Sequence, residues 1–347
     1  MIFKRRTSTK KPGLFGRFFR SIFSIVVLTS FVILISLLVR KVSMLNANQV
    51  GRLSANLLHK AKIDVDEEKA GAVAGQFAKR LTETNLAGTK NPDTPEKTTI
   101  LRAALISEVQ EDYVNLEQAL KKVQEQDIKQ IFLLGDLTNY GEVEKIQRSK
   151  DILDASGLSY YVLPGDHDLA QSVGSGNFLQ VFRENYFNIN VNGTNFLLLN
   201  NSANFTKINS EVVTRFKQDV TTADFVLLSQ PIYTEGLNPP FSNMYMGSTR
   251  EEVEDADKKA LQVSVLNQRT EILEAIQQSD AKAIFAGDHH KSSQITDAKR
   301  SVLKHYVVGA ISSTVNEFPQ KIIQSPRFSI LEIYSDGTYG VSEILID

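Results

Sequence analysis

Four stretches decide the fold: LRAALISEVQ (101–110), IFLLGD (131–136), YVLPGDHD (161–168) and AIFAGDHH (283–290). Each is an apolar run followed at once by small and acidic or imidazole residues. Runs this short and rich in Leu, Ile and Val read as strands buried on both faces. In a layered α/β fold, polar groups just past the carboxyl ends of such strands meet in one crevice. Glu108, Asp136, Asp166, Asp288 and the nearby histidines are therefore expected in one place. Carboxylates brought together repel, so they need protons or a cation between them.

Working outward, strands and helices alternate. Strands are expected at 101–106, 131–134, 160–163, 224–228 and 281–286. Helices are expected at 113–125, 142–155 and 263–278. Tyr113, Leu116, Leu120 and Val123 recur every three or four residues, which puts them on one helix face. Strands at 186–191 and 195–199 flank Asn192-Gly193, a pair suited to a tight hairpin. The chain ends in strands at 302–308, 327–334 and 339–345. This order predicts an α/β two-sheet mixed β-sandwich flanked by helices.

The order of motifs resembles the calcineurin-like metallophosphoesterases over residues 99–347. That family reads Asp-x-His, Gly-Asp, Gly-Asn-His-Asp, His-x-Pro and Gly-His-x-His, and its two-sheet sandwich carries a two-metal site at the strand ends. Here the matching positions hold Glu108 and Gln110, Gly135-Asp136, Gly165-Asp166-His167-Asp168, Ser229-Gln230-Pro231 and Gly287-Asp288-His289-His290. The resemblance implies one metal held by Glu108, Gln110, Asp136 and His290. It implies a second held by Asp136, Asp166, Asp288 and Ser229. Gln110 and Ser229 are the weaker ligands. His167 takes the place of the leaving-group acid, with Asp168 orienting its ring. His289 falls on a variable position and is not counted as a ligand. Oxygen-rich donor sets suit Mg²⁺ or Mn²⁺ better than Zn²⁺ or Fe, so one or two hard divalent ions are expected. Blander readings stand beside these: Asp136 could simply start a turn, and His305, in mid-strand, reads as structural.

The rest of the chain sets the context. With no cysteine, disulfides, thiolate metal sites and cysteine nucleophiles are excluded. The net charge of −1 hides a basic end: Lys4, Arg5, Arg6, Lys10, Lys11, Arg17 and Arg20 occur in residues 1–20 without an acid. No basic patch for nucleic acid is visible elsewhere. Residues 21–39, SIFSIVVLTSFVILISLLV, carry no charge and sit between Arg20 and Arg40-Lys41. At about 1.5 Å per residue the run spans roughly 28 Å, close to a bilayer core. It is longer than the apolar part of a cleaved signal peptide, so it reads as an uncleaved anchor. The flanking cations place residues 1–20 in the cytoplasm and the remainder outside it. Residues 40–85 read as a polar helical stalk with a partial apolar stripe (Val50, Leu53, Leu57, Leu58). Weak oligomerisation could run through it, although no heptad is sustained. Residues 86–98 are a turn-rich linker and 99–347 the globular domain. The long loop from Ile232 to Ala260 is expected to shape the substrate pocket with its aromatic part, its acidic run facing solvent.

Three functions follow as expectations. The first is a membrane-anchored hydrolase of phosphomonoesters or phosphodiesters. The second is a degenerate relative that binds a ligand or partner without turnover. The third is an envelope scaffold.

Overall fold

The computed structural model describes residues 97–346, apart from 173, 203–204, 250–251 and 313–323. Residues 96–347 form one compact unit. The basic residues 1–20, the expected anchor at 21–39, the expected stalk at 40–85 and most of the expected linker lie outside the described residues. No helix among the described residues is long and apolar enough to cross a membrane.

The chain order is β1 (Thr99–Ile106), α1 (Tyr113–Glu125), β2 (Gln130–Leu134), α2 (Val143–Ser156), β3 (Ser159–Leu163), α3 (Gly176–Phe182), β4 (Tyr186–Val191), β5 (Thr194–Leu199), α4 (Ser210–Asp219), β6 (Phe225–Leu228), α5 (Ala256–Gln278), β7 (Ala283–Ala286), β8 (Ser293–Thr296), β9 (Lys304–Val307), β10 (Arg327–Tyr334) and β11 (Tyr339–Leu345). One sheet runs β11-β10-β1-β2-β3 and the other β4-β5-β6-β7-β9-β8. β1, β2 and β3 are parallel neighbours, as are β5, β6, β7 and β9. The antiparallel strands lie at the edges: β10 and β11 on the first sheet, β4 and β8 on the second.

The two sheets pack face to face, with helices on both outer surfaces. Leu105, Phe132 and Leu134 of the first sheet share a core with Phe196, Phe225, Leu227 and Phe285 of the second. The rings of Phe132 and Phe196 stand 4.8 Å apart, centre to centre. The alternate residues face outward. Ala104, Ile106, Ile131 and Leu133 pack on Leu116, Leu120 and Val123 of α1 and on Ile146 and Leu153 of α2. Val226 and Leu228 pack on Phe216 of α4 and Ile272 and Ile276 of α5. Both strand faces are buried, which is why the runs are apolar throughout rather than alternating.

The expected two-sheet sandwich is present, with three additions and one longer helix. α3, α4 and β8 are short, at seven, ten and four residues. α4 is nucleated by Asn209, whose side chain accepts from the Glu211 N–H, and anchored by Val213 and Phe216. α5 starts at Ala256 rather than 263, because Asp255 caps it by accepting from the Lys258 N–H. Its first buried residue is Val265. The early turns therefore carry no apolar period for the sequence to display, and the expected loop from Ile232 ends at Asp255.

Candidate metal centre

The parallel strands deliver the motifs to one edge of the sandwich. Close packing explains the glycines before the acids. A Cβ on Gly165 would overlap the Asp136 carboxylate, and one on Gly287 would overlap the Ser107 hydroxyl. The residues that follow are held in the left-handed backbone region: φ is 57° at Glu108, 44° at Gln110, 55° at Asp136, 76° at Asp288 and 56° at His290. Such conformations cost of order 1–3 kcal/mol each outside glycine, and they gather where the fold positions functional groups.

Asp136, Asp166 and Asp288 each offer a carboxylate oxygen, all within 4.8 Å of one another. Asp136 is buried, Asp288 half-buried and Asp166 exposed. Burial, together with Glu108, Asp166, Asp168 and Asp288, pushes the Asp136 pKa well above the usual carboxylate range. Burial, Asp166 and Glu108 do the same to Asp288. This is the electrostatic cost that a cation removes. Ser229 stands just after β6, where its carbonyl accepts from the Gly287 N–H at 3.1 Å. Its hydroxyl is buried with no hydrogen-bond partner. A hard, oxygen-coordinated divalent ion fits this donor set.

Glu108, Gln110 and His290 adopt a different arrangement. Oε2 of Glu108 lies 2.8 Å from Nε2 of His290. Oε1 of Glu108 accepts from the Asp288 N–H at 2.8 Å and from the Ser107 hydroxyl at 3.2 Å. Nε2 of Gln110 lies 3.2 Å from Nε2 of His290. Burial alone would raise the Glu108 pKa, but His290 and the Asp288 N–H outweigh it and hold it low. Burial alone would lower the His290 pKa, but Glu108 more than offsets this and raises it.

His167 sits at the rim. Its N–H donates to Asp136 Oδ1 and Asp166 Oδ1, both at 3.0 Å. Its Nδ1 lies 2.8 Å from the Asn139 carbonyl, which can only accept, so Nδ1 carries the proton and Nε2 is the exchanging nitrogen. The orienting contact expected from Asp168 is thus corrected: Asn139 supplies it. The Asp168 carboxylate is committed to the backbone instead. It accepts from the Gly165, Leu137 and Thr138 N–H groups and from the Thr138 hydroxyl at 2.8–3.1 Å. Burial raises its pKa to about 6 against the pull of those bonds. Asp168 therefore ties the β2 and β3 motifs together.

His289 points to the long loop. Its Nε2 donates to the Met244 carbonyl at 2.7 Å, and its ring lies 5.1 Å from that of Phe241. Burial lowers its pKa to about 4, so it is neutral near pH 7. The loop is further pinned by the Met246 N–H on the Pro231 carbonyl and by Arg269 over Tyr245. His305 pairs with Asp297 at 3.0 Å and stacks on Tyr233, a structural place as expected. Sequence reasoning missed Asn139, which acts through its carbonyl and leaves no side-chain signal. It also missed the buried Asn201, which brackets Gln230 by accepting from its N–H and donating to its carbonyl.

The chain belongs to the calcineurin-like phosphoesterases: residues 101–292 match the family model of that description. No curated protein matches the chain. Solved structures with similar folds include a dimetal phosphatase from Danio rerio, 10% identical with a TM-score of 0.41, over 72% of this chain and 100% of that one. A purple acid phosphatase from yellow lupin (Lupinus luteus) seeds is 13% identical with a TM-score of 0.46, over 72% of this chain and 54% of that one. Vps29 of Entamoeba histolytica, complexed with zinc, is 12% identical with a TM-score of 0.31, over 71% of this chain and 100% of that one. These likenesses carry no argument about activity.

Proposed function

We propose that this chain is a membrane-anchored, metal-dependent phosphoric ester hydrolase. The observation that carries the hydrolase reading is the convergence of Asp136, Asp166 and Asp288 oxygens within 4.8 Å, beside His167. These three residues, with Ser229 beside them, would hold a divalent cation, with Mn²⁺ or Mg²⁺ favoured. Bound there, the ion supplies Lewis-acid polarisation of the phosphate and a lowered water pKa. The chain's own residues do the rest. Asn139 holds the His167 ring through Nδ1–H, and the imidazolium form, protonated at Nε2 as well, gives the Nε2 proton to the departing oxygen of a phosphomonoester or phosphodiester and is left neutral. Asp168 keeps the two loops in register. The loop held by His289 shapes the substrate side with Phe241 and Tyr245, and its acidic residues Glu252 and Glu254 are exposed. Anchoring rests on the uncharged run 21–39 and its flanking cations, which put the catalytic domain outside the cytoplasm.

Hydrolysis of a generic aryl phosphate by the full chain, across Mg²⁺, Mn²⁺ and Zn²⁺, tests the reaction. Turnover that depends on the ion and vanishes in Asp136→Asn supports it. No turnover under any ion, with metal bound, leaves the second reading, a ligand-binding relative without catalysis. The engaged Glu108–His290 pair favours that reading. Protease added to intact cells should cut the linker at 86–98, and protection of that linker overturns the orientation.

A further inference from the structure

We propose that this chain holds a single divalent cation, at Asp136, Asp166 and Asp288, and that Glu108 and His290 form a fixed ion pair where a second ion's ligands would be. The inference rests on the metal-dependent reading above and gives the site its stoichiometry.

Two-metal sites place their ions about 3.5–4 Å apart and need donors that face both. Here the donors divide. Among the described residues, Asp136, Asp166 and Asp288 are the one group of three or more acid, histidine or cysteine side chains whose ligand atoms converge. Glu108 and His290 turn to each other. Nε2 of His290 faces a carboxylate oxygen at 2.8 Å, with the Gln110 amide 3.2 Å away. The other Glu108 oxygen is taken by the Asp288 N–H and the Ser107 hydroxyl. Both oxygens of Glu108 therefore have partners within the protein, Oε1 through hydrogen bonds and Oε2 through a charge contact that forms no hydrogen bond. Both side chains are buried, at 0% and 4% exposure, so water does not compete for the pair. Separating them for a second ion would break a desolvated pair and release the Asp288 backbone, which sits at φ 76°.

The pair acquires a purpose in this arrangement. Through the Asp288 N–H, Glu108 sets the turn from which the Asp288 carboxylate reaches the cation. Glu108 is thus a positioning residue for the remaining site, and His290 holds Glu108 in place.

The experiment is a count. Full-length protein, purified without chelator and equilibrated with Mn²⁺, is desalted and its metal measured by mass spectrometry. An electron paramagnetic resonance spectrum of the same sample separates isolated Mn²⁺ from an exchange-coupled pair. One ion per chain with the spectrum of an isolated ion is expected. Two ions per chain with a coupled spectrum overturns this inference and leaves the hydrolase reading intact. No bound metal removes the hydrolase reading and this inference with it. Variants locate the ion. Asp166→Asn should fall to none, and retention of one ion there overturns the placement. Glu108→Gln and His290→Gln, checked for folding by circular dichroism, should each keep one ion, with affinity several-fold weaker. A folded variant of either that retains none overturns the assignment, because Glu108 or His290 would then be a ligand of that one ion.

Discussion

On one side of the crevice, Asp136, Asp166 and Asp288 hold three carboxylate oxygens within 4.8 Å, with no base among them. On the other side, Glu108 and His290 meet at 2.8 Å with opposite charges. Both sides grow from the same kind of strand end, and both use left-handed backbone to do so. The first is an arrangement that the fold maintains against repulsion. The second is an arrangement in which opposite charges offset each other's burial. Side chains that lower stability when left alone are those to suspect of binding something, since proteins give up stability at functional sites.

The two sides should therefore respond to mutation in opposite ways. Asp136→Asn is expected to have the largest functional effect. Metal content should fall below about a tenth of wild type and hydrolysis by at least ~100-fold. The melting temperature of the metal-free protein should nevertheless rise, because a buried, crowded acid has been neutralised. A fall in that melting temperature would break the comparison.

Glu108→Gln should do the reverse. Removing one partner of a buried pair costs about 3–5 kcal/mol, readable in chemical denaturation, while one cation still binds. Loss of less than about 1 kcal/mol would show that the pair contributes little.

The loop contact gives a pH effect of intermediate size. His289 has its pKa lowered to about 4 by burial, whereas an unfolded histidine titrates near 6.5. Above pH 6.5 both states are neutral and its contribution is complete. As pH falls from 6.5 to 4 the unfolded chain takes up the proton first, so stability declines by roughly 3 kcal/mol from this residue. His289→Gln should flatten that part of the profile, and an unchanged slope would assign it elsewhere. In the same window Asp168, raised to about 6, works in the opposite direction. Stability tied to its protonated form is present at low pH and lost as pH climbs through 6.

Ser229→Ala should matter least to the fold. The hydroxyl makes no hydrogen bond, so its loss should shift stability by less than about 1 kcal/mol. A larger loss would reveal an unseen partner.

Much of the fold was legible because its strands are buried on both faces. Runs such as 131–134 and 283–286 have no surface reading, and Gly-Asp directly after them marks the strand ends. α1 was legible from Leu116, Leu120 and Val123, which share a face. α4 and the first turns of α5 were not, because their exposed residues carry no period and their starts depend on Asn209 and Asp255 as caps. In the site, Asp136, Asp166 and Asp288 were expected together, and the structure gathers them. The Glu108–His290 contact was not visible, because the two residues lie far apart in the chain and either could have faced an ion. Asp168 was read as a partner of His167 because it follows it in sequence. The turn directs it to the backbone of Gly165 and Leu137 instead.

The sequence by itself determined the class of fold and the place of the crevice. Apolar periodicity and glycine spacing encode local conformation, and parallel strands can only deliver their ends to one edge. Which acids face one another, and which acid a histidine neutralises, was decided by the tertiary structure. Those contacts depend on sub-ångström placement by backbone turns of left-handed φ, and no residue type announces such a turn outside glycine.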